Sequence, residues 1–134
     1  MKKSLLVFCT LILLVTFESQ AQVSAGVYRL SSATFAAIGT DPDQKIFGEA
    51  RISTGWRVDL EGTFGYNFVQ TSDVNFYSGF HIGGRRGFYA GIPLGLLVKP
   101  FSNKDFGLMM EASPIFTSGP EYFRAGLGLK YTFR

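Results

Sequence analysis

Residues Trp56 to Phe68 read W-R-V-D-L-E-G-T-F-G-Y-N-F, and their side chains alternate in character at every step. The even positions are apolar, aromatic or Gly, whereas the odd positions are polar or Gly. Since a β-strand sends successive side chains to opposite faces, this stretch predicts one strand with an apolar face and a polar face. A tilted strand crosses a bilayer with about 9–11 residues, so the stretch is long enough to span a membrane.

The same alternation continues along the chain in segments that are separated by turn signals. The predicted strands are 23–30, 33–39, 44–53, 56–68, 74–83, 87–98, 106–117 and 121–133. The count is eight if Ser31-Ser32 is a turn, and seven if 23–39 is one bent strand. Bacterial single-chain outer-membrane barrels have an even number of strands, from eight upward. The sequence therefore predicts an all-β fold, an antiparallel up-and-down transmembrane β-barrel of about eight strands.

Alternation alone leaves two arrangements open, because a soluble lipocalin-like barrel turns its apolar face inward and an outer-membrane barrel turns it outward. Three features favour the outward arrangement. The apolar rows are continuous and rich in aromatic residues, the opposite rows hold many glycines that suit a narrow lumen, and the polar rows contain few lysines. The soluble barrel, in the periplasm or secreted and binding an apolar ligand, remains the alternative.

Charged residues of both signs share the polar rows in nearly equal numbers. Side chains rather than water fill the lumen of an eight-stranded barrel, and an unpaired buried charge costs several kcal/mol. An internal salt-bridge network is therefore predicted, with these members: Glu49, Arg51, Arg57, Asp59, Glu61, Glu111, Arg124 and Lys130.

The first 21 residues have the pattern of a secretory signal peptide. Lys2 and Lys3 precede an apolar run from Leu5 to Phe17, and a small-x-small cleavage site ends at Ala21. Residues 22–134 are then predicted to form the barrel domain. The only cysteine, Cys9, lies in the apolar run of the signal, so no disulfide framework is expected in the barrel domain. Without Lys2, Lys3 and Glu18 the chain keeps 11 basic and 9 acidic residues, a balance too even to indicate a nucleic-acid partner.

The last strand carries alternate apolar side chains and a penultimate aromatic, followed by Arg134. It resembles the C-terminal targeting strand of outer-membrane barrels, with these positions: Leu127, Leu129, Tyr131 and Phe133. Together with the signal and the repeated strands, it makes the chain similar to the small outer-membrane β-barrel superfamily that includes OmpA-type transmembrane domains. The segment 39–51 is similar to a hairpin of small exported barrel proteins of unknown function in Gram-negative bacteria. This resemblance implies a barrel-only member and no enzymatic activity.

Residues that could carry chemistry are few. His81, the only histidine, shares the polar row of its strand, while Ser78 lies on the opposite face, so a lumen histidine is a better interpretation than a catalytic one. Asp41, Asp43 and Asp73 could approach a calcium ion, but Asp41-Pro42-Asp43 is first a turn. No metal or cofactor is predicted.

Two further features have structural interpretations. Arg85 and Arg86 form a basic turn that could approach lipid phosphates, with a plain solvated turn as the simpler interpretation. Pro93 and Pro114 fall inside predicted strands, where each removes a ladder donor, so bulges or strand ends are expected there.

The sequence therefore predicts a non-enzymatic integral protein of the outer membrane with a structural or interaction role. Its expected partners are outer-membrane lipid, lipopolysaccharide and, during insertion, the barrel-assembly machinery. A lipid A-modifying enzyme that depends on His81 is the third hypothesis.

Overall fold

The computed structural model describes residues 22–55, 58–84 and 87–134. The predicted signal peptide, Arg57 and the Arg85-Arg86 turn lie outside the described residues. The strands are β1 (Val23–Leu30), β2 (Thr34–Thr40), β3 (Ile46–Ser53), β4 (Leu60–Gln70), β5 (Val74–Gly84), β6 (Phe88–Gly91), β7 (Leu94–Val98), β8 (Phe106–Thr117) and β9 (Tyr122–Phe133). Within the described ranges no helix is long and apolar enough to cross a bilayer.

The strands form an antiparallel meander that closes on itself. Consecutive strands pair from β1 to β5, β8 pairs with β9, and β1 pairs with β9, from Val23 opposite Phe133 to Leu30 opposite Gly126. Strands β6 and β7 both lie between β5 and β8, so they are two halves of one barrel strand. The result is a closed barrel of eight strands, and it confirms that a turn at Ser31 separates β1 from β2.

The sixth barrel strand is interrupted at Ile92 and Pro93, which confirms the predicted effect of this proline. The Ile92 N–H reaches the Pro114 carbonyl at 3.3 Å, and the Ser78 hydroxyl donates to the Pro93 carbonyl at 2.9 Å. Pro114 itself lies within β8 opposite Phe123, and the strand continues past it.

The strand predicted from residue 56 begins later than its sequence pattern indicates. Val58 and Asp59 precede β4, which runs from Leu60 to Gln70. Asp59 lies opposite Ser53, in the register that pairs Ile52 with Leu60. The Ser53 N–H donates to the Asp59 carbonyl at 2.9 Å, while the Asp59 N–H donates to the side-chain hydroxyl of Ser53 at 2.7 Å. Regular strand pairing therefore begins at Leu60, although Asp59 keeps the inward position that the alternation predicts.

The apolar rows face outward and the polar rows face the lumen. Along β4 the apolar side chains, such as Phe64 and Tyr66, are exposed, while Glu61, Thr63 and Asn67 are buried. The same division holds in β9, where Leu127, Leu129, Tyr131 and Phe133 lie on the outer wall. The lipocalin-like alternative required these rows to face inward, so it is wrong.

Lumen glycines leave room for aromatic rings from neighbouring strands. Tyr77 lies opposite Gly95, and a Cβ built at Gly95 would stand 2.0 Å from the Tyr77 ring. Equivalent pairs join Phe47 with Gly65, Tyr89 with Gly83 and Tyr28 with Gly128, at 2.2, 2.3 and 2.4 Å. The narrow lumen therefore holds large rings only because the opposite residue has no side chain.

Candidate functional site: the charged lumen

Arg51 lies at the centre of the lumen and contacts three carboxylates. Its Nε reaches Glu49 at 2.5 Å, and its Nη1 reaches Glu61 at 3.3 Å. With Glu111 it forms a two-point pair, Nη1 to Oε1 at 2.9 Å and Nη2 to Oε2 at 2.8 Å. The guanidinium also stacks over the Tyr28 ring at 4.3 Å. Arg51 and the three carboxylates are all buried, so the pairing replaces the hydration that each charge has lost.

Two further cations complete this arrangement. Arg124 donates to both oxygens of Glu61, at 2.7 and 3.0 Å, and Lys130 pairs with Glu49. We refer to these six side chains, three carboxylates and three cations, as the lumen cluster: Glu49, Arg51, Glu61, Glu111, Arg124 and Lys130. Its formal charge is zero, which is the condition under which a buried group of ions is tolerated.

Each carboxylate of the lumen cluster also accepts a hydrogen bond from a tyrosine. Tyr28 donates to Glu49 at 2.8 Å, Tyr77 to Glu111 at 2.6 Å, and Tyr89 to Glu61 at 2.7 Å. The same three rings lie against lumen glycines, so their hydroxyl groups are held in place by packing. Neutral donors thus supply hydrogen bonds that the cations leave unmade.

Eight residues were predicted for the lumen network, and the structure brings six of them together in the lumen cluster. Arg57 lies outside the described residues. Asp59 is buried near the barrel rim that lies opposite both chain ends, where it lines a cavity with Tyr89 and Arg124. The tyrosine donors were missed, although Tyr28, Tyr77 and Tyr89 all share the phase of the polar rows, which is the signal that could have identified them.

His81 is fully buried beside the lumen cluster, as the lumen interpretation predicts. Its Nδ1 lies 2.8 Å from the Thr63 hydroxyl and 3.4 Å from Glu61. Its Nε2 lies 3.0 Å from the Ser113 hydroxyl and 3.2 Å from Glu111. Ser113, His81 and Glu61 thus resemble a hydrolase triad in their spacing. Ser113 is 1% exposed, however, so its hydroxyl has no surface on which a substrate could approach.

Both chain ends of the barrel lie at one rim, which we call the terminal end; the opposite rim is the distal end. At the terminal end Arg134 crosses between two turns, with Nη2 at 2.6 Å from Asp43 and 3.6 Å from Asp41, and Nε at 3.1 Å from Asp105. Lys99 reaches Asp43 at 2.5 Å. We call these five residues the terminal clasp.

The turn between β2 and β3 is held over the terminal end of the lumen. Asn67 donates to the carbonyl oxygens of Pro42 and Gln44, both at 2.7 Å, and Asn75 donates to the Asp43 carboxylate at 2.8 Å. Asp41 accepts the Asp43 N–H at 2.9 Å, which confirms the predicted turn. Asp73 pairs with Lys104 instead of joining the other two aspartates. Among the described residues no group of three or more Asp, Glu, His or Cys side chains is arranged so that it could hold a metal ion.

Hydrogen bonds and nearby charges in the terminal clasp shift the pKa of two of its groups, Asp43 and Arg134. Burial raises the pKa of the Asp43 carboxyl, but hydrogen bonds from Lys99, Arg134 and Asn75 outweigh that effect, and the pKa lies below its ordinary value. For Arg134, burial lowers the pKa, and the carboxylates of Asp43, Asp41 and Asp105 more than reverse it. Asp43 and Arg134 are therefore both charged at neutral pH.

The two ends of the lumen differ in the space that they enclose. At the distal end a vestibule of about 390 Å³ opens between the ends of the strands, with aromatic and polar walls. At the terminal end the cavity under the β2–β3 turn measures about 10 Å³, roughly the space of one water molecule. The terminal clasp thus covers the lumen at one rim, and the distal rim is open.

Comparison with known proteins supports the fold alone. No model of a protein family matches the sequence, and no curated protein sequence matches it. The N-terminal β-barrel domain of OprF from Pseudomonas aeruginosa is similar in structure, with a TM-score of 0.57 and 16% identity over 84% of this chain and 96% of that chain. The de novo designed transmembrane barrel TMB2.3 gives a TM-score of 0.64 and 12% identity over 85% and 95%. The chain therefore has the fold of small, eight-stranded outer-membrane-type β-barrels.

Proposed function

We propose that the protein is a non-enzymatic, integral β-barrel of the outer membrane with a structural or interaction role, and that its lumen is closed. The observation that carries the proposal is the division between wall and lumen. The outer wall presents apolar and aromatic side chains, and the lumen holds paired charges. Only a surrounding bilayer makes such a wall favourable, because water would leave its apolar surface exposed.

The closed lumen follows from what occupies its centre. Arg51, Tyr28 and Tyr77 are buried there and are tied to Glu49 and Glu111. Moving Arg51 aside would leave several buried carboxylates unpaired, which costs several kcal/mol. The barrel therefore passes no bulk flow of ions, and in a planar bilayer we expect no stable single-channel current from it.

The same proposal covers export and insertion. Residues 1–21 direct the chain across the inner membrane, and the barrel-assembly machinery inserts it with help from the outward residues of β9. In the membrane the wall contacts outer-membrane lipid and lipopolysaccharide. A catalytic role is not proposed, because the Ser113 hydroxyl and His81 ring are enclosed by other side chains.

Heat modifiability of the membrane fraction tests this function. The protein is extracted with detergent and run on SDS gels with and without boiling, since a closed barrel resists SDS until it is heated. We expect a detergent-dependent band that shifts on boiling, and no such band after a Leu129→Arg substitution, which places a charge on the outer wall of β9. A protein recovered in the aqueous fraction, without a shift, would contradict the proposal.

A further inference from the structure

The distal vestibule, the space of about 390 Å³ at the distal end, is lined by side chains from four strands of the barrel. Phe35 comes from β2, Tyr89 from β6 and Thr117 from β8. Tyr122 and Arg124 come from β9, where their spacing of two residues places them on one face. Tyr89 and Thr117 are direct partners in the ladder between β6 and β8. The volume lies within the range of about 300–1,000 Å³ that is usual for small-molecule sites.

Arg124 links the distal vestibule to the lumen cluster and has one donor to spare. Its guanidinium donates to both oxygens of Glu61, and Tyr89 donates to the same carboxylate at 2.7 Å. The guanidinium carbon also lies 5.4 Å from the centre of the Phe35 ring. The buried Nε of Arg124, however, has no hydrogen-bond partner among the described residues. Because buried polar groups are almost always paired, this donor points to an acceptor that the chain itself does not supply there.

The walls of the distal vestibule favour a neutral, polar ligand. An anion would find the Arg124 charge already matched by Glu61, and a cation would approach a side chain of its own sign. A hydrocarbon would cover the polar groups of Arg124, Thr117 and Ser118 without offering them hydrogen bonds. A ring with several hydroxyl groups fits both requirements, because its C–H face packs on aromatic rings while its hydroxyls donate and accept.

We propose that the distal vestibule binds one neutral pyranose ring, either of a free sugar or of the last residue of a neutral glycan. The Tyr122 ring supports the C–H face of the sugar, and the polar wall groups, Arg124 among them, bond its oxygens. The inference rests on the proposed function and deepens it by naming the class of partner. A chain inserted from the periplasm keeps both ends on that side, so the distal rim faces the medium, where a sugar can enter.

Saturation-transfer NMR tests the site on protein extracted from the membrane fraction in a detergent without a sugar headgroup. The probes are the methyl glycosides of glucose, galactose, mannose and N-acetylglucosamine, titrated one at a time. We expect at least one to bind saturably with a Kd of about 1 mM, as for other ligands of about a dozen non-hydrogen atoms. Tetrahydropyran-2-methanol keeps the ring but lacks its hydroxyl groups, and it should bind at least about tenfold more weakly.

Two pairs of variants assign the binding to the distal vestibule. Ser118→Trp places a large side chain in the vestibule wall and should remove saturable binding, whereas Ser72→Trp, at an exposed serine of the opposite rim, should not. Tyr122→Ala removes the supporting ring and should weaken binding about fivefold. Tyr122→Phe keeps that ring and should bind as wild type does.

The outcomes distinguish this inference from the function on which it rests. Heat modifiability is measured on the same preparations, and its absence in the wild type would overturn the membrane barrel itself. A heat-modifiable protein that binds none of the four glycosides saturably would overturn the sugar site alone. Tighter binding of choline or of tetrahydropyran-2-methanol would overturn it as well, and so would glycoside binding that Ser118→Trp leaves unchanged.

A neutral pentasaccharide that ends in the bound sugar separates the two sources of the ring. An affinity equal to that of the methyl glycoside would support the proposal with the end of a glycan as the ligand. A much weaker affinity would support it with a free sugar as the ligand.

Discussion

The lumen cluster and the terminal clasp are built from the same chemistry in two different environments. Both place an arginine among three carboxylates: Arg51 contacts Glu49, Glu61 and Glu111, and Arg134 contacts Asp41, Asp43 and Asp105. The side chain of Arg51 is 1% exposed, whereas that of Arg134 is 31% exposed. The side chains of the lumen cluster are cut off from water, whereas in the terminal clasp Arg134, Asp43 and Asp105 are partly exposed and only Asp41 and Lys99 are buried.

This difference determines what each arrangement contributes. Removing one member of a buried pair leaves a charge that neither water nor a partner satisfies, at a cost of about 3–5 kcal/mol. Removing one member of an exposed pair returns the other to water, and such pairs contribute about 0–1 kcal/mol. Loss of one charge from the lumen cluster should therefore destabilise the whole barrel, whereas loss of one charge from the terminal clasp should have only a small effect on stability.

The largest effect is expected from Arg51→Met. The substitution leaves the charges of Glu49, Glu61 and Glu111 with two cations, Arg124 and Lys130, in a lumen that water enters poorly. We expect a loss of about 3–5 kcal/mol in the free energy of unfolding, measured by urea titration in lipid vesicles.

A compensated variant serves as the control for Arg51→Met. In the double variant Arg51→Met/Glu111→Gln the charge of the lumen cluster returns to zero, so the loss should be smaller than in the single variant. An equal or larger loss in the double variant would show that packing around Arg51, and not its charge, accounts for the effect.

Gly95→Ala should have the next largest effect, through the side chains that support the lumen cluster. A Cβ at this position would stand 2.0 Å from the Tyr77 ring, which donates to Glu111. Moving the ring costs about 1–3 kcal/mol of stability. Gly48→Ala is the matched control, because its nearest atom would be 4.0 Å away; the same urea titration should find it near wild type. Similar losses in both variants would argue against the ring contact.

Arg134→Gln tests the terminal clasp. The carboxylates of Asp41, Asp43 and Asp105 lose a partner that is partly exposed, so the free energy of unfolding should fall by about 1 kcal/mol or less. The difference from wild type should shrink at about 1 M salt, where screening is strong, whereas the effect of Arg51→Met should persist. If the free energy of unfolding fell by several kcal/mol and the loss did not change with salt, the terminal clasp would contribute to stability as the lumen cluster does.

The smallest expected effect is a dependence of stability on pH, which arises from Asp43 in the terminal clasp. The folded pKa of Asp43 lies below its ordinary value, so its contribution is complete above about pH 4 and is lost as pH falls through the folded pKa. We expect wild type to exceed Asp43→Asn in stability at pH 7, and the two to converge at lower pH. Unfolding curves recorded from pH 7 to pH 2 measure this difference. A difference in stability that stayed constant over this range would contradict the role given to Asp43.

The fold could be predicted because strand alternation depends only on the order of neighbouring side chains. The strand number, the turn at Ser31 and the outward face of β9 follow from that pattern. The start of β4 follows less directly, since the alternation continues through Val58 and Asp59 while regular strand pairing begins at Leu60. Next to that start the Asp59 N–H donates to the side-chain hydroxyl of Ser53, a contact that the alternation does not predict.

The residues that face the lumen were easier to predict than the contacts among them. The phase of the alternation assigns Arg51 and Glu111 to one face, but they are 60 residues apart, and only closure of the barrel brings them within 2.8 Å. The roles of Tyr28 and Tyr89 were missed because aromatic residues in a barrel sequence suggest the outer girdles. Arg134 follows the aromatic Phe133 in the sequence without a predicted role, and the structure places it in the terminal clasp.

The most direct test of the central claim is the environment of a single outward side chain. A spin label at Phe64→Cys, in the middle of β4, is examined in vesicles for collision with oxygen, which concentrates in lipid, and with a water-soluble nickel chelate. The barrel described above predicts that oxygen relaxes the label far more than the chelate does. Greater relaxation by the chelate would place this face in water and would contradict the membrane barrel.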